Sequence, residues 1–267
     1  MKIDFKIGTS GYSYDDWNTV FYPQQWPKSE RLSYYSRYFD TVEINATYYR
    51  VPPRRVFEGM VSKTGPQFEF IVKAHQDTTH MRHKDTKALQ ELKESIKPLI
   101  QAERLNGILA QFPYSFHNNE KNRAYLRRIK EGLEYIPLFV EFRNDSWLKP
   151  QIYDLLSYHD IGYVNVDEPP LRGLLPPQHI VTTNTAYIRF HGRNENQWWR
   201  GKGSDRYDYE YREQELIEWL NHLSEIMKKT HKSYFFFNNH PRGQAVKNAR
   251  QMMRILEKQF QFSFDQK

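Results

Sequence analysis

Short runs of β-branched and aromatic residues recur along the chain, and longer amphipathic stretches separate most of them. Runs of this kind predict β-strands, because branched and aromatic side chains suit a pleated, half-buried surface. Eight runs fit the description: Lys6–Ser10, Thr41–Tyr49, Phe68–His75, Asn106–Pro113, Leu138–Arg143, Gly162–Asp167, Ala186–Gly192 and Ser233–Asn239.

The intervening stretches carry apolar residues three and four positions apart, which predicts helices with one apolar face. In one of them, for example, Leu126, Ile129 and Leu133 share a face. The predicted helices are Ser29–Phe39, Thr86–Arg104, Glu120–Tyr135, Tyr211–Thr230 and Ala245–Phe260, with weaker patterns at Arg54–Lys63 and Pro150–His159. The proline-rich segment that follows the sixth strand is expected to be irregular.

Strands that alternate with helices predict a parallel sheet covered by helices. In a chain of 267 residues, closure into one (β/α)8 TIM-type barrel is the natural arrangement, and we expect a single domain over residues 1–267. An open doubly wound sheet is the alternative fold. It is disfavoured because the chain contains neither a GxGxxG dinucleotide loop nor a GxxxxGK[ST] phosphate loop.

Composition narrows the classes of function. The absence of cysteine excludes disulfides, thiolate nucleophiles and cysteine-based zinc sites. The net charge of +7 and the pI of about 9.3 favour an anionic partner, either a small metabolite or nucleic acid. No apolar run approaches the ~18 residues of a membrane span, and the N-terminus has no signal-peptide core. We therefore expect no membrane partner and a cytoplasmic location.

The last residues of the predicted strands point to a polar site. Active sites of TIM barrels lie at the carboxyl ends of the strands, and alternate strand residues face the barrel interior. Strand parity predicts that polar residues from seven of the eight strands face inward: Glu43, Asn45, Lys73, His75, Gln111, Glu141, Arg143, Asn165, Asp167, Arg189, His191, Asn238 and His240. So many inward polar groups indicate either a functional pocket or a plug of internal ion pairs.

The chemistry of these residues suits an anionic substrate, since arginine binds carboxylate or phosphate with two hydrogen bonds. The candidate catalytic residues are Glu43, His75, Glu141, Asp167 and His191. The candidate substrate-binding residues are Asn45, Lys73, Gln111, Arg143, Arg189, Asn238, Asn239 and His240. Three inward carboxylates balance three inward cations, so the sequence requires no metal or other cofactor; a single ion held by histidine and carboxylate remains possible.

Two aromatic-rich segments, Gly11–Trp26 and Gly192–Tyr211, should lie over the strand ends. The second contains Trp198, Trp199, Arg200, Lys202, Arg206 and Tyr207. These side chains could stack on bases or sugars and contact phosphates. Alternatively, they pack the two loops onto the rim of the barrel.

The motifs IGTSGYSYDDW, VEINATYY, FIVKAHQDTTH, GILAQFPYSF, VEFRNDSW, VNVDEP, YIRFHGR and FFNNHPRGQAVKNA occur in this order. Together they resemble the YecE-like family, or domain of unknown function seventy-two, over nearly the whole chain. The resemblance implies a TIM-type barrel and supplies no established reaction. Members resemble the endonuclease IV type of barrel, which has suggested nucleic-acid binding or cleavage. The balanced charges here do not match the metal-rich site of such nucleases.

Three hypotheses of function follow. The first is an enzyme that acts on a phosphorylated or other anionic substrate at the barrel mouth, as a hydrolase or as an isomerase or lyase using acid/base chemistry. The second is a nucleic-acid-binding barrel, and the catalytic form of this hypothesis is a phosphodiesterase. The third is a non-catalytic binding protein for a small ligand. The sequence leaves the oligomeric state open.

Overall fold

Eight parallel strands form a nearly closed barrel in the computed structural model, which describes residues 4–83, 87–221, 223–260 and 264. The strands are β1 (Asp4–Thr9), β2 (Thr41–Ile44), β3 (Glu69–Lys73), β4 (Leu105–Gln111), β5 (Leu138–Glu141), β6 (Ile161–Asp167), β7 (Thr185–Phe190) and β8 (Lys232–Phe237). Continuous ladders run from β2 through β3 to β8 and on to β1. The predicted TIM-type barrel is therefore confirmed, and the open sheet is excluded.

The seam between β1 and β2 closes with few bonds. Gly11 N donates to Glu43 O at 2.8 Å just beyond the strand ends. Below this point the Tyr35 phenol bridges the two strands, accepting from Thr9 N at 2.9 Å and donating to Thr41 O at 3.1 Å. One buried side chain thus satisfies backbone groups that a regular ladder would otherwise pair.

Gly8 allows the two strands to approach at this seam. A Cβ atom added at Gly8 would lie 2.3 Å from the carbonyl oxygen of Thr41. That separation is far inside van der Waals contact, so any larger residue would push β1 away from β2.

Helices cover the outside of the barrel. They are α1 (Arg31–Tyr35), α2 (Arg54–Ser62), α3 (Lys87–Ser95), α4 (Lys97–Gln101), α5 (Glu120–Leu133), α6 (Pro150–Tyr158), α7 (Glu213–Leu220), α8 (Leu223–Met227) and α9 (Gln244–Phe260). Each predicted helix has a counterpart, although two are divided. The predicted helix ending at Arg104 is split at Ile96, and Pro98, the second residue of the next piece, has no amide donor. Its predicted start at Thr86 lies outside the described residues.

Side chains fill the barrel interior in layers. At the amino-terminal end, Lys232 binds Glu69, with Nζ and Oε1 2.6 Å apart. Above them lies an aromatic layer in which Tyr187 contacts Phe139 and Phe236 at centroid distances of 5.0 and 5.3 Å. This packed interior supports the charged layer at the carboxyl ends of the strands.

Among the described residues, no helix is long and apolar enough to cross a membrane.

Candidate functional site at the barrel mouth

The floor of the site is a buried ion network centred on Arg189. Its Nη2 lies 2.6 Å from Glu43 Oε1, and its Nη1 donates to Glu141 Oε2. Tyr187 donates its hydroxyl to the other Glu43 oxygen at 2.5 Å. Arg189, Glu43 and Glu141 are fully buried, with at most 1% of each exposed. Arg189 therefore neutralises two internal carboxylates and does not face a ligand.

Arg143 extends this network to the surface of a cavity. Its Nε binds Glu141 Oε1 at 2.6 Å, and its Nη1 binds Glu168 Oε2 at 3.0 Å. Burial by itself would raise the pKa of Glu141, but Arg143 and Arg189 outweigh it and hold that pKa well below its usual range. Burial raises the pKa of Glu168 to about 7 despite its bond to Arg143. The pKa values of Glu168 and Glu141, which share Arg143, are therefore shifted in opposite directions.

His191 is buried within the same cluster. Its Nε2 lies 3.2 Å from Glu141 Oε1 and 3.1 Å from Arg143 Nη2, and its Nδ1 lies 3.0 Å from Asn238 Nδ2. Burial, reinforced by the charge of Arg143, lowers the pKa of His191 to about 3. A neutral imidazole carries one N–H, which Nε2 can donate to Glu141 Oε1 while Nδ1 accepts from Asn238, so these contacts suit the neutral form.

Above this floor lies an open cavity of about 850 Å³, a volume typical of small-molecule sites. Residues from the segments that follow all eight strands line it, with Leu174 as the contribution from the segment after β6. Its positively charged side chains are those of Lys73, Arg143 and Arg206. Its aromatic side chains are Tyr12, Tyr14, Tyr48, Tyr49, Tyr114, Trp198, Trp199 and Tyr207. Among the described residues that line the cavity, none is aspartate or glutamate.

Lys73 ends β3 and lies in the cavity wall, partly exposed. Its Nζ donates to Gln111 Oε1 at 2.9 Å and lies 4.7 Å from the centroid of the Tyr48 ring. Burial, with the positive charge of Arg189, lowers the pKa of Lys73 to about 8, against the attraction of buried glutamates. Lys73 therefore loses its proton far more readily than an ordinary lysine.

Two further polar residues line the cavity with an atom unpaired. Asn45 Oδ1 and His240 Nδ1 are buried and have no hydrogen-bond partner among the described residues. The His240 ring stacks on Tyr14, with centroids 4.2 Å apart, and its carbonyl accepts from Trp17 Nε1 at 2.7 Å. The stacking holds the His240 ring in place, and both side chains retain bonding capacity for a ligand.

Asp167 does not reach the mouth, contrary to the parity expected from the sequence. In the ladder its partner is Phe190, which faces the helices, whereas Val166 is paired with the inward Arg189. Asp167 binds Arg193 with both oxygens, at 2.9 and 2.6 Å, and accepts from Trp219 Nε1 at 2.6 Å. Asn165 lies on the same outer face, where its side chain bonds the backbone of Ile180.

His75 and Asn239 also lie away from the cavity. The β3 strand ends at Lys73, so its alternation no longer governs His75, whose Nε2 lies 3.3 Å from Tyr49 O in an outer groove. Asn239 faces outward and donates to Tyr209 O and to Asn248 Oδ1, both at 2.8 Å. Asn238, by contrast, lines the cavity as its parity predicted.

The structure adds two residues that strand parity missed. Glu168 follows the polar pair of β6 by one position, and its inward direction is visible only once the register of β6 is known. His80 lies in the π-helical turn Asp77–Met81 after β3 and lines the cavity. Burial and the charges of Lys73 and Arg82 lower the pKa of His80 to about 4. The sequence signal that could have identified His80 is its position as the last residue of the motif FIVKAHQDTTH.

The two aromatic-rich loops both pack and line the site. Trp198 is 2% exposed and lies over the Arg143 guanidinium at 5.5 Å, whereas Trp199 is 55% exposed. Arg200 and Lys202 lie outside the cavity lining.

Among the described residues, no group of three or more histidine, aspartate or glutamate side chains is arranged to hold a metal ion.

The fold and this geometry define a TIM-type barrel with a cationic, aromatic-walled cavity at the carboxyl ends of its strands. A sequence profile of the family described as "Protein of unknown function DUF72" matches residues 6–266. The chain belongs to this family, which confirms the resemblance drawn from its motifs.

Individual relatives agree with this assignment. The chain is 35% identical to the UPF0759 protein YunF of Bacillus subtilis, over 94% of both sequences. It is 43% identical to a DUF72 family protein of Thermotoga maritima, whose crystal structure superposes with a TM-score of 0.88 over 95% of this chain and 99% of that one. A DUF72 family protein of Enterococcus faecalis is 26% identical, with a TM-score of 0.85 over 98% and 97% of the two chains.

Proposed function

We propose that the barrel mouth binds a small anionic substrate, such as a phosphorylated compound, and acts on it by acid/base or hydrolytic chemistry. The observation that carries the proposal is the charge of the cavity. Lys73, Arg143 and Arg206 line it, and no carboxylate does so among the described residues. Every buried carboxylate beneath the floor already has a cationic partner, so the cavity presents positive potential to a ligand.

Groups for proton transfer accompany the cations. His80 and Lys73 line the cavity, and their lowered pKa values favour a neutral imidazole and a partly neutral amine near physiological pH. Glu43, Glu141 and His191 lie beneath the floor, where we assign them a positioning role toward Arg143 and Asn238. Asn45, Gln111 and His240 supply hydrogen bonds that would orient the substrate.

Inorganic phosphate is expected to bind the cavity and to change the fluorescence of Trp198 and Trp199, which line it. Lys73→Met should weaken binding by about 10- to 100-fold, because a hydrogen bond to a charged group contributes about 1.5–3 kcal/mol. Arg206→Gln should weaken it about threefold, since a partly exposed pair contributes at most about 1 kcal/mol. The measurement is a fluorescence titration at low ionic strength.

Arg200→Gln is the matched control, because Arg200 lies on the same loop, is exposed and does not line the cavity. It should leave phosphate affinity unchanged. If the wild-type protein binds no phosphate, or if the variants at 200 and 206 lose affinity equally, an anion site in this cavity is ruled out.

A second candidate function is the binding of single-stranded nucleic acid, which the exposed aromatic residues at the rim favour. Trp199 and Tyr49 are 55% and 74% exposed, and Trp199 contacts Tyr114 at a centroid distance of 5.5 Å. A fluorescent oligothymidylate should then bind with an affinity that falls steeply with salt, and Trp199→Ala should cost about 1–3 kcal/mol. Absence of binding at low salt in fluorescence anisotropy would remove this candidate.

A further inference from the structure

Lys73 differs from Arg143 and Arg189 in having no carboxylate partner among the residues that the structure describes. Arg189 and Arg143 each bind two carboxylates. Among the described residues, no carboxylate oxygen lies within 4 Å of Lys73 Nζ. A mostly buried lysine that only served structure would be expected to pair with a carboxylate, as Lys232 does at the other end of the barrel.

The groups that contact the Lys73 amine carry no charge of their own. Gln111 Nε2 donates to Phe112 O at 2.8 Å, which turns Oε1 of the same amide toward Lys73 Nζ. The ring of Tyr48 contacts both Lys73 and His80, at 4.7 and 5.1 Å. The amine is thus fixed at the end of a strand, next to a neutral imidazole and beside two guanidinium groups.

The cavity above Lys73 suits a carbonyl compound that also carries a negative charge. Arg143 and Arg206 lie in its wall and can hold the anionic group. Aromatic side chains form much of the remaining wall, and the Tyr48 ring covers the amine on one side, with its centroid 4.7 Å from Nζ. Both features favour addition of an amine to a carbonyl group over protonation of the amine.

We propose that Lys73 is a nucleophile that forms a Schiff base with the carbonyl carbon of an anionic aldehyde or ketone bound in this cavity. This rests on the proposed function, because the anion site delivers the carbonyl compound. The free Nζ attacks the carbonyl carbon, and the carbonyl π electrons pass to oxygen. A proton moves from nitrogen to that oxygen, giving a carbinolamine. The hydroxyl group takes a second proton from solvent and leaves as water, while the nitrogen lone pair forms the C=N bond of a protonated Schiff base.

The test is reductive trapping with glyoxylate, a small anionic aldehyde, and cyanoborohydride. We expect intact-mass spectrometry and peptide mapping to find an N-carboxymethyl group first on Lys73, and inorganic phosphate to slow its formation. The rate should level off near pH 8, where Lys73 loses its proton, whereas exposed lysines should react faster up to about pH 10. Lys73→Arg keeps the positive charge and should lose only this adduct.

Labelling of Lys73 no faster than that of an exposed lysine such as Lys28, which is 69% exposed, would overturn the proposal. A phosphate titration of the same wild-type sample distinguishes failure of the Schiff-base proposal from failure of the anion-site proposal. If phosphate binds but Lys73 is not trapped, the Schiff base is excluded and the anion site stands. If phosphate does not bind and Lys73 is not trapped, both are excluded. Trapping in the wild-type protein is decisive without any variant, so a folding defect in Lys73→Arg would not obscure it.

Discussion

Arg189→Met is expected to lower the free energy of unfolding by about 3–5 kcal/mol, the cost of leaving the buried charge of Glu43 without a cationic partner. Arg189 lies between Glu43 and Glu141, all three are fully buried, and the substitution removes the cation while filling similar space. Urea denaturation followed by circular dichroism measures the loss. Lys247→Met, which removes an exposed ion pair with Glu210, should cost less than about 1 kcal/mol.

A second substitution tests the cause of this loss. Glu141 keeps Arg143 as a partner when Arg189 is replaced, whereas Glu43 loses its cation, so Glu43→Gln removes the charge that Arg189→Met leaves uncompensated. The Glu43→Gln substitution should therefore cost less in the Arg189→Met background than in the wild type. Equal costs in the two backgrounds would show that charge compensation is not what Arg189 provides.

Asp167→Asn is expected to destabilise the protein by about 3–4 kcal/mol and to leave phosphate affinity nearly unchanged in the folded protein. Asp167 is fully buried on the outer face of β6, where it accepts bonds from Arg193, Tyr211 and Trp219. An amide of the same size cannot accept all of these bonds. Urea denaturation and the fluorescence titration measure the two quantities.

Glu218→Gln is the matched control for this variant. Glu218 is the exposed partner of the same Arg193, at 3.9 Å, so its loss should cost less than about 1 kcal/mol. Full stability of Asp167→Asn together with a loss of phosphate binding would mean that Asp167 serves the mouth, as its sequence position first suggested.

Sequence alone predicted the fold because each element carried a strong local signal. Helix α5, for example, has three apolar residues on one face and is capped by the preceding Asn119, whose side chain accepts from the Asn122 amide at 2.9 Å. The runs at 186–192 and 233–239 were strands within two residues at either end. Splitting of the helix at Ile96 was less visible, because the apolar periodicity continues across the break.

Parity located inward residues only where one face of a strand differs clearly from the other. In β2 and β7, Glu43 and Arg189 alternate with apolar residues that face the helices, and both point inward. All seven residues of β6 are buried, so polarity does not distinguish its two faces. The partners that draw Asp167 outward, Tyr211 and Trp219, are 44 and 52 residues further along the chain. The local sequence pattern of β6 therefore does not indicate these two partners.

Residues beyond the strand ends were the least predictable part of the site. The chain turns after Lys73, so His75 leaves the cavity and His80 enters it from the following turn. Contacts of this kind depend on loop conformation, which hydrophobic periodicity does not encode.

The raised pKa of Glu168 has a consequence for the energetics of binding. Burial raises the pKa of Glu168 to about 7, and its carboxyl group shares Arg143 with the cavity. An anion that engages Arg143 would compete for the charge that keeps Glu168 ionised, and so would favour its protonation. By reciprocity, protonation of Glu168 would strengthen the hold on the anion. Binding of an anion at the barrel mouth would then be accompanied by proton uptake, and the Glu168 carboxyl group that contacts Arg143 would take the proton.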